Sequence, residues 1–358
     1  MLRRRLLRLI GTAAAAPLIS ACVRSPSPSP VPSSATASPG GGVGPGAPSV
    51  TGRLVLYSAI GDGPTAALVG AFRGAHGGVE VDVLSVAAGG ELETRIRVEK
   101  AARKADLFVG GDSSLHDVLA REGLLEKYAS NATGTVAEAV DPSGSWTGWY
   151  LTLLAAAVNA PALAGADSHA AWDDLTGTAW RRKLALPDPS KTSAGYAFLA
   201  VQAVRHGRDD ARTMDYMKRL DPSVVEYAGS EIRTLDLVAR AKAVYGIAWS
   251  HDILRRKTAT AGLDIVVPGD TTLGIGAVSI LKGSASLPAA RAFVDWTLTK
   301  GAAELMVREA RVYPVRRDVA GPAGAPALDR ATLVAYDRGW ADTEHDELVR
   351  AWQAAVHR

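Results

Sequence analysis

The chain contains 358 residues, of which 47% are hydrophobic and 22% are charged, so it is long enough for two ordinary domains with apolar cores. This composition excludes wholesale disorder, and a single cysteine excludes both an intrachain disulfide framework and a zinc site built from several thiolates. The net charge falls from +3 to −1 when the four arginines among the first eight residues are set aside. The rest of the chain therefore lacks the basic balance of a nucleic-acid-binding protein.

The N-terminal segment carries the features of an export signal. Four arginines precede an apolar run over residues 9–21, which is interrupted by Pro17 and is too short to span a bilayer. Residues 18–22 resemble a bacterial lipobox, in which cleavage before the cysteine is followed by acylation of its thiol, and residues 3–8 resemble a twin-arginine export signal. We therefore expect a signal peptide over residues 1–21 and a lipid anchor on Cys22. The alternative is a cysteine buried in an apolar helix.

A segment rich in Ser, Pro, Gly and Ala follows the cysteine. It contains seven prolines between residues 23 and 50 and cannot bury enough apolar surface to offset the entropy of ordering it. We therefore expect residues 22–52 to form a disordered tether. Together with the anchor, the tether would place a folded body at the extracytoplasmic face of the cell membrane.

From Arg53 onward, short β-rich runs alternate with helical stretches, which predicts an α/β architecture with at least partly parallel sheets. Gly123 supplies the stop signal of the helix that precedes it. The predicted elements of this part are strands at 54–57, 79–83 and 107–109 and helices at 64–72, 92–104 and 115–122.

A long apolar run at residues 149–158 has the length of a buried strand that passes through a sheet or between domains. A second unit follows it, with strands predicted at 184–186, 224–227 and 243–249 and helices at 194–206, 209–220 and 231–240. Residues 265–268 then return through a glycine-rich stretch to a strand at 277–281. Four further helical patterns complete the chain.

Short sequence phrases between residue 54 and about residue 352 form an ordered series. They lie at residues 56–58, 71–72, 105–112, 122–128, 172–175, 186–196, 290–296 and 313–316. In order and spacing, these phrases resemble ABC-importer extracellular solute-binding proteins of the ferric-iron, phosphonate and hexose-phosphate group. Each phrase is short, but together they cover nearly the whole body.

The resemblance implies a two-lobed type II periplasmic-binding-protein fold of the α/β class. Each lobe would be a mixed sheet flanked by helices, with the ligand in the interlobe cleft and closure by a hinge motion. We expect lobe 1 at residues 53–152 and 268–312, lobe 2 at residues 153–267, and C-terminal helices at residues 313–358. The chain would cross between the lobes near residues 151–159, near residues 268–277 and near Tyr313.

The function implied by the resemblance is delivery of a small anionic solute, such as a phosphonate or an organophosphate, to the permease of an ABC importer. We expect a monomer that is not an enzyme and that needs no cofactor. A binding protein that reports to a membrane sensor fits the same residues.

Five loops follow strand ends and begin helices, where free N–H groups and the helix dipole favour anions. They lie at residues 58–63, 89–90, 112–114, 191–194 and 229–230. The fourth loop offers a cation, two hydroxyls and N–H groups to a phosphate, phosphonate or carboxylate, and the matching loop of the resembling family binds the anion. The predicted anion contacts are Lys191, Thr192, Ser193, Ala194 and Ser230, with Ser58 and Ser113 closing from lobe 1. The alternative is that each hydroxyl merely caps a helix.

Trp249 and Asp252 complete the predicted site. Trp249 lies at a strand end, where it either stacks on a ligand ring or packs in the core. Asp252, like Asp62, either pairs with a ligand ammonium group or lies in a surface turn. Iron-binding members of the resembling group carry adjacent tyrosines after the corresponding strand, whereas this chain has Ser250, His251 and Asp252 there. We therefore expect no ferric site and no other metal site, and an iron-binding protein is the alternative.

A hydrolase is the alternative from a different functional class. Residues 111–114 resemble the nucleophile block of GDSL-type hydrolases, and residues 342–345 have the Asp-x-x-His spacing of that family. Such an enzyme would use Ser113 as nucleophile, His345 as base and Asp342 to orient the base. However, two strands and two helices precede the serine here, whereas the hydrolase family carries it on the first strand.

Overall fold

The computed structural model describes residues 50–356 apart from 87–88, 132–138, 140, 164–166 and 168–169. The predicted signal peptide, the lipidated Cys22 and nearly all of the predicted tether lie outside the described residues. Within that described part, every helix falls short of the length and apolar character needed to cross a bilayer.

The first part of the body alternates strands and helices as predicted. Its elements are β1 (Gly52–Ser58), α1 (Asp62–Ala75), β2 (Val79–Ser85), α2 (Gly89–Val98), β3 (Leu107–Asp112), α3 (Ser113–Arg121), β4 (Leu125–Glu126) and the long strand β5 (Thr147–Asn159).

The second part continues the alternation and ends in four helices. Its elements are β6 (Leu184–Pro187), α4 (Ser193–Arg205), α5 (Asp210–Leu220), β7 (Val224–Ala228), α6 (Glu231–Ala239), β8 (Tyr245–Trp249), α7 (Ser250–Thr258), β9 (Leu263–Val266), β10 (Leu273–Leu281), α8 (Leu287–Thr297), α9 (Lys300–Ala310), β11 (Tyr313–Pro314), α10 (Arg338–Thr343) and α11 (His345–Val356).

The strands form one continuous mixed sheet in the order β2-β1-β3-β10-β5-β8-β6-β7. β1 is parallel to both β2 and β3, and β6 is parallel to both β7 and β8, whereas β10 and β5 are antiparallel to their neighbours. This topology confirms the predicted α/β class with partly parallel sheets. We refer to the half that contains β1 to β3 and β10 as lobe 1, and to the half that contains β6 to β8 as lobe 2.

Strand β5 belongs to both lobes. Its residues up to Leu153 pair with β10 of lobe 1, and its residues from Leu154 onward pair with β8 and β9 of lobe 2. Leu154, Ala156 and Val158 face one apolar cluster of lobe 2, while the alternate residues between them face a second cluster on the opposite side of the sheet. Because both faces of the strand are buried, its sequence is a continuous apolar run rather than an alternating one.

The two largest errors in the predicted boundaries concern the end of α2 and the start of β10. Helix α2 ends at Val98, whose side chain is 79% exposed, and one 3₁₀ turn follows, so the apolar face does not continue to residue 104 as predicted. β10 begins at Leu273, four residues before its predicted start. Gly274 and Gly276 obscured this strand, because glycine is depleted in strands and has no side chain to reveal a pattern.

Helices α10 and α11 cover lobe 2. Leu348 and Trp352 of α11 join the same buried cluster as Phe198 of α4 and Tyr216 of α5. The Trp352 ring meets the Tyr227 ring edge to face, with 5.2 Å between the ring centroids. The end of the chain therefore completes the core of lobe 2.

Trp352→Ala is expected to lower the free energy of unfolding by about 3–5 kcal/mol, because it removes a fully buried indole from a packed cluster. Urea denaturation followed by circular dichroism would measure the loss. Leu333→Ala is the matched control, since the Leu333 side chain is 45% exposed and its loss should change stability by less than about 0.5 kcal/mol. Equal stability of the two variants would contradict the packing role of α11.

Candidate ligand-binding cleft

A cleft of about 670 Å³ lies between the two lobes, a size that suits a small molecule. Lobe 1 contributes the starts of α2 and α3 and the adjoining parts of β5 and β10. Lobe 2 contributes the starts of α4, α6 and α7, and helices α10 and α11 close one side. The cleft therefore gathers several helix N-termini, as expected beyond the carboxyl ends of parallel strands.

The loop before α4 lies in the cleft, but its groups already have partners within the protein. Thr192 Oγ1 accepts a hydrogen bond from the Gly195 N–H (3.2 Å) and donates one to the Asp188 carbonyl oxygen (2.7 Å), so this hydroxyl is used as the helix cap. Lys191 Nζ pairs with the Asp188 carboxylate at 2.9 Å and is largely exposed. Ser193 Oγ accepts a hydrogen bond from Trp249 Nε1 at 2.9 Å.

The Glu231 carboxylate lies at the N-terminus of α4. Its Oε1 atom accepts a hydrogen bond from the Ala194 N–H (3.2 Å) and a longer one from Ser193 Oγ (3.4 Å). Burial raises the pKa of Glu231, and the nearby charge of Asp252 raises it further. A carboxylate of the protein therefore lies where the sequence predicted the anionic group of the ligand.

The junction of β8 and α7 supplies a second polar group of residues. His251 Nδ1 shares a hydrogen bond of 2.8 Å with Thr152 Oγ1 of β5, and its Nε2 lies 3.6 Å from the Asp252 carboxylate. Arg255 donates to the same carboxylate from the next turn of α7. Burial opposes ionisation of Asp252, but its interactions with the neighbouring His251 and Arg255 side chains outweigh this effect and hold the pKa of Asp252 below its usual value.

The lobe 1 side of the cleft combines backbone groups with one buried phenol. Asp112 caps α3 by accepting a hydrogen bond from the Ser114 N–H at 3.1 Å. The Tyr150 ring lies directly over Gly276 of β10, where a Cβ atom would overlap its ring carbons. Burial raises the pKa of Tyr150, so the phenol stays protonated at neutral pH.

Two arginine side chains, Arg255 and Arg121, make contacts across the cleft. Arg255 of lobe 2 donates a hydrogen bond of 3.3 Å from Nη1 to the Ile60 carbonyl oxygen in the loop after β1. Arg121 of α3 lies 3.7 Å from the carboxylate of Asp342 in α10. Burial, reinforced by the Asp117 charge, raises the pKa of Asp342 to about 6.

Among the described residues, acidic and basic side chains line the cleft in equal number, histidines set aside. The basic residues are Arg97, Arg121, Lys191, Arg255 and Arg338, and the acidic residues are Asp112, Glu231, Asp252, Asp342 and Asp346. A cleft of this composition suits a ligand that both accepts and donates hydrogen bonds better than it suits a bare anion.

Residues 54–309 match the family of bacterial extracellular solute-binding proteins. The chain belongs to this family. A probable ABC transporter periplasmic-binding protein of Sinorhizobium fredii, y4fP, is 26% identical to this solute-binding protein over 80% of this chain and 81% of its own length. These matches confirm the predicted family and the ABC-importer assignment.

Solved structures show the same two-lobed fold. The periplasmic binding protein AfuA of Actinobacillus pleuropneumoniae, solved with exogenous fructose-6-phosphate bound, is 26% identical and superimposes with a TM-score of 0.76, covering 85% of this chain and 98% of its own. Iron-bound HitA of Pseudomonas aeruginosa has a TM-score of 0.74 over 85% of this chain and 99% of its own. HitA is 17% identical, so its likeness shows the fold alone.

Ser58, Ser113 and Ser230, three predicted contacts of the solute-binding protein, do not line the cleft, and of Ala194 the structure shows only the N–H contact described above. Ser58 is fully buried and its hydroxyl bonds Thr65 Oγ1 at 2.7 Å, because the side chain points into lobe 1. Ser113 is also fully buried, and its hydroxyl has no hydrogen-bond partner. Ser230 Oγ caps α6 by accepting a hydrogen bond from the Arg233 N–H at 3.2 Å. The helix-cap alternative therefore describes Ser230 correctly.

The remaining predicted residues do come together. Lys191, Thr192, Ser193, Trp249 and Asp252 line the cleft, and Ala194 contributes its N–H group to Glu231. Their role in binding stays a prediction.

Sequence reasoning missed many cleft residues, among them Thr152, Glu231, Arg255 and Tyr150. The three-residue spacing of Asp252 and Arg255 on a helix was a usable signal for the pair.

The structure does not assemble the predicted hydrolase triad. The proposed nucleophile Ser113 has no hydrogen-bond partner, while His345 Nδ1 bonds Asp346 at 2.9 Å. Asp342 pairs with Arg121 instead of orienting the histidine. The hydroxyl, the imidazole and the carboxylate therefore each face a different environment.

Ser250 begins α7 directly after β8, and its hydroxyl is used within the protein. Ser250 Oγ accepts a hydrogen bond from the Leu153 N–H at 3.0 Å and so fixes α7 against β5. Within the described residues, no group of three or more His, Cys, Asp and Glu side chains is placed to hold a metal ion. The expected lack of a ferric site stays a prediction.

Proposed function

We propose that this solute-binding protein, anchored by lipid on Cys22, captures a phosphorylated small molecule that also carries hydroxyl groups, of which a sugar phosphate is the simplest example. It would deliver this solute from the interlobe cleft to the permease of an ABC importer. The observation that carries the proposal is that helix N-termini and carboxylates line the same cleft.

A phosphoryl group needs hydrogen-bond donors and a favourable local potential. The N-terminus of α4 and the Ser193 hydroxyl are donors beside the cleft that a phosphate would have to share with the Glu231 carboxylate. The start of α3 adds a second helix dipole. Lys191 is largely exposed and pairs with Asp188, so its positive charge would act on the phosphate without direct contact. These groups suit the oxygens of a phosphate monoester.

Sugar hydroxyls need acceptors, which the cleft also provides. The Asp252 carboxylate is ionised and lies beside His251 and Thr152, so acceptors and donors alternate along the junction of β5 and α7. Trp249 lies between this junction and Ser193, where its ring can cover an apolar face of a sugar. A ligand with a phosphate at one end and hydroxyls at the other would bind both the donors at the start of α4 and the acceptors at the junction of β5 and α7.

The comparison with AfuA supports the same class of ligand. That protein was solved with fructose-6-phosphate bound, it is 26% identical to this chain, and its fold covers 85% of this chain.

Fructose 6-phosphate is expected to raise the melting temperature of the purified protein, whereas fructose at the same concentration should not. A ligand that binds the folded state stabilises it by RT ln(1 + [L]/Kd), about 2.7 kcal/mol at a hundredfold excess over Kd. A thermal-shift series with fructose 6-phosphate, fructose, inorganic phosphate and 2-aminoethylphosphonate would measure this. A shift with fructose alone, or with 2-aminoethylphosphonate alone, would contradict the sugar-phosphate assignment.

A further inference from the structure

Glu231 presents a chemical conflict at the proposed phosphate position. Its carboxylate lines the cleft and accepts hydrogen bonds from the Ala194 N–H and from Ser193 Oγ, two donors that a phosphate at the start of α4 would also use. An ionised carboxylate and a phosphate dianion repel each other when they share the same donors. A proton between the two acceptors removes the repulsion and forms a charge-assisted O–H···O⁻ hydrogen bond.

We propose that a bound phosphoryl group and the Glu231 carboxylate share one proton, and that the cleft selects phosphoryl groups in this way. Ligand binding would then take up a proton from the solvent. This inference rests on the proposed function. The proton comes from the buffer and remains in the complex, held between a phosphate oxygen and Glu231 Oε1 or Oε2. No bond to phosphorus forms or breaks.

The geometry favours a shared proton over displacement of Glu231. Glu231 is the first residue of α6, and Ser230 caps this helix, so the backbone that carries the carboxylate is fixed. Burial and the charge of Asp252 raise the pKa of Glu231, which lowers the cost of placing a proton there. The second pKa of a phosphate monoester is about 6, so the ligand also accepts a proton readily.

The charged and titratable groups around Glu231 do not supply this proton themselves. On α7, burial lowers the pKa of His251, which is therefore neutral at pH 7.5, and Asp252 is ionised and paired with Arg255. Before α4, Lys191 pairs with Asp188, and on α6 itself Arg233 pairs with the Glu226 carboxylate. Across the cleft, Asp112 caps α3 and Asp342 pairs with Arg121.

Titration calorimetry with fructose 6-phosphate at pH 7.5, in buffers that differ in ionisation enthalpy, counts the protons taken up on binding. The wild type is expected to take up nearly one proton per ligand, and Glu231→Gln nearly none, since the amide donates its own hydrogen bond to the dianion. Above pH 7 the affinity of the wild type should fall about tenfold per pH unit, while that of Glu231→Gln should stay nearly constant. Glu226→Gln is the matched control and should behave as the wild type, because Glu226 pairs with Arg233 outside the cleft.

Each outcome separates the two proposals. Failure of fructose 6-phosphate to bind the wild type would overturn the proposed function and this inference with it. Binding without proton uptake in the wild type, or uptake that persists in Glu231→Gln, would overturn the inference and leave the function standing. Glu231→Ala provides a second variant if the glutamine variant does not fold, and it should also lose the uptake.

Discussion

Gly276→Ala is expected to abolish binding of fructose 6-phosphate and to lower the free energy of unfolding by about 1–3 kcal/mol. A Cβ atom at Gly276 would overlap the Tyr150 ring, and neighbouring Trp249 atoms already lie within 3.1 Å of a Cβ atom at Gly274. The phenol would have to leave its buried position, and the open space beside it is the cleft. Calorimetry and urea denaturation would measure the two losses.

Gly70→Ala is the matched control for this variant. Gly70 lies in the middle of α1, and a Cβ atom there meets nothing within 4 Å. The substitution should leave binding unchanged and stabilise the protein by about 0.5–1 kcal/mol, because alanine is the better helix former. Retention of full affinity by Gly276→Ala would show that the Tyr150 ring does not control access to the site.

Cys22→Ser is expected to move the protein from the membrane fraction to the soluble extracytoplasmic fraction. The serine has no thiol to acylate, so the body would lose the lipid that the lipobox resemblance assigns to Cys22. Fractionation of cells followed by immunoblotting would measure the change, and mass spectrometry of the N-terminal peptide would detect the lipid in the wild type.

Ser34→Ala, in the same predicted tether, should leave the wild-type distribution intact. Membrane association of Cys22→Ser, together with an unmodified N-terminal peptide in the wild type, would show that the lipobox resemblance does not reflect lipidation.

Most of the fold could be predicted from the sequence, because buried strands and helices have recognisable local patterns of apolar residues. β2 was visible from its alternating valines, and β5 was visible as an apolar run because both of its faces are covered. Gly123 was a correct helix stop, since its φ of 69° is a conformation that glycine adopts readily. β10 was predicted too short because its first residues include Gly274 and Gly276, which have no side chains to form a pattern. The rings of Trp249 and Tyr150, which lie elsewhere in the sequence, pack against these glycines.

The candidate site was predicted in part. A hydroxyl residue just before a helical pattern is a signal for a helix N-terminus. By this signal, the loop at residues 191–194 was correctly predicted to begin a helix, and the structure places this loop at the cleft. The same signal selected Ser58 and Ser113, whose side chains point into lobe 1. Sequence position alone does not show whether such a side chain points into the cleft or into the lobe, because its orientation at a strand or helix end depends on the packing of the whole lobe.

The sequence by itself determined the class of protein, the alternation of strands and helices and the positions of the polar loops that begin helices. The tertiary structure decided which of those groups are still available to a ligand. Glu231 lies 37 residues after Ala194, yet its carboxylate bonds the Ala194 N–H, and Asp188 pairs with Lys191. Hydrogen bonds and ion pairs depend on distances of about 3 Å between side chains, and such distances are set by the packing of helices on the sheet rather than by local sequence.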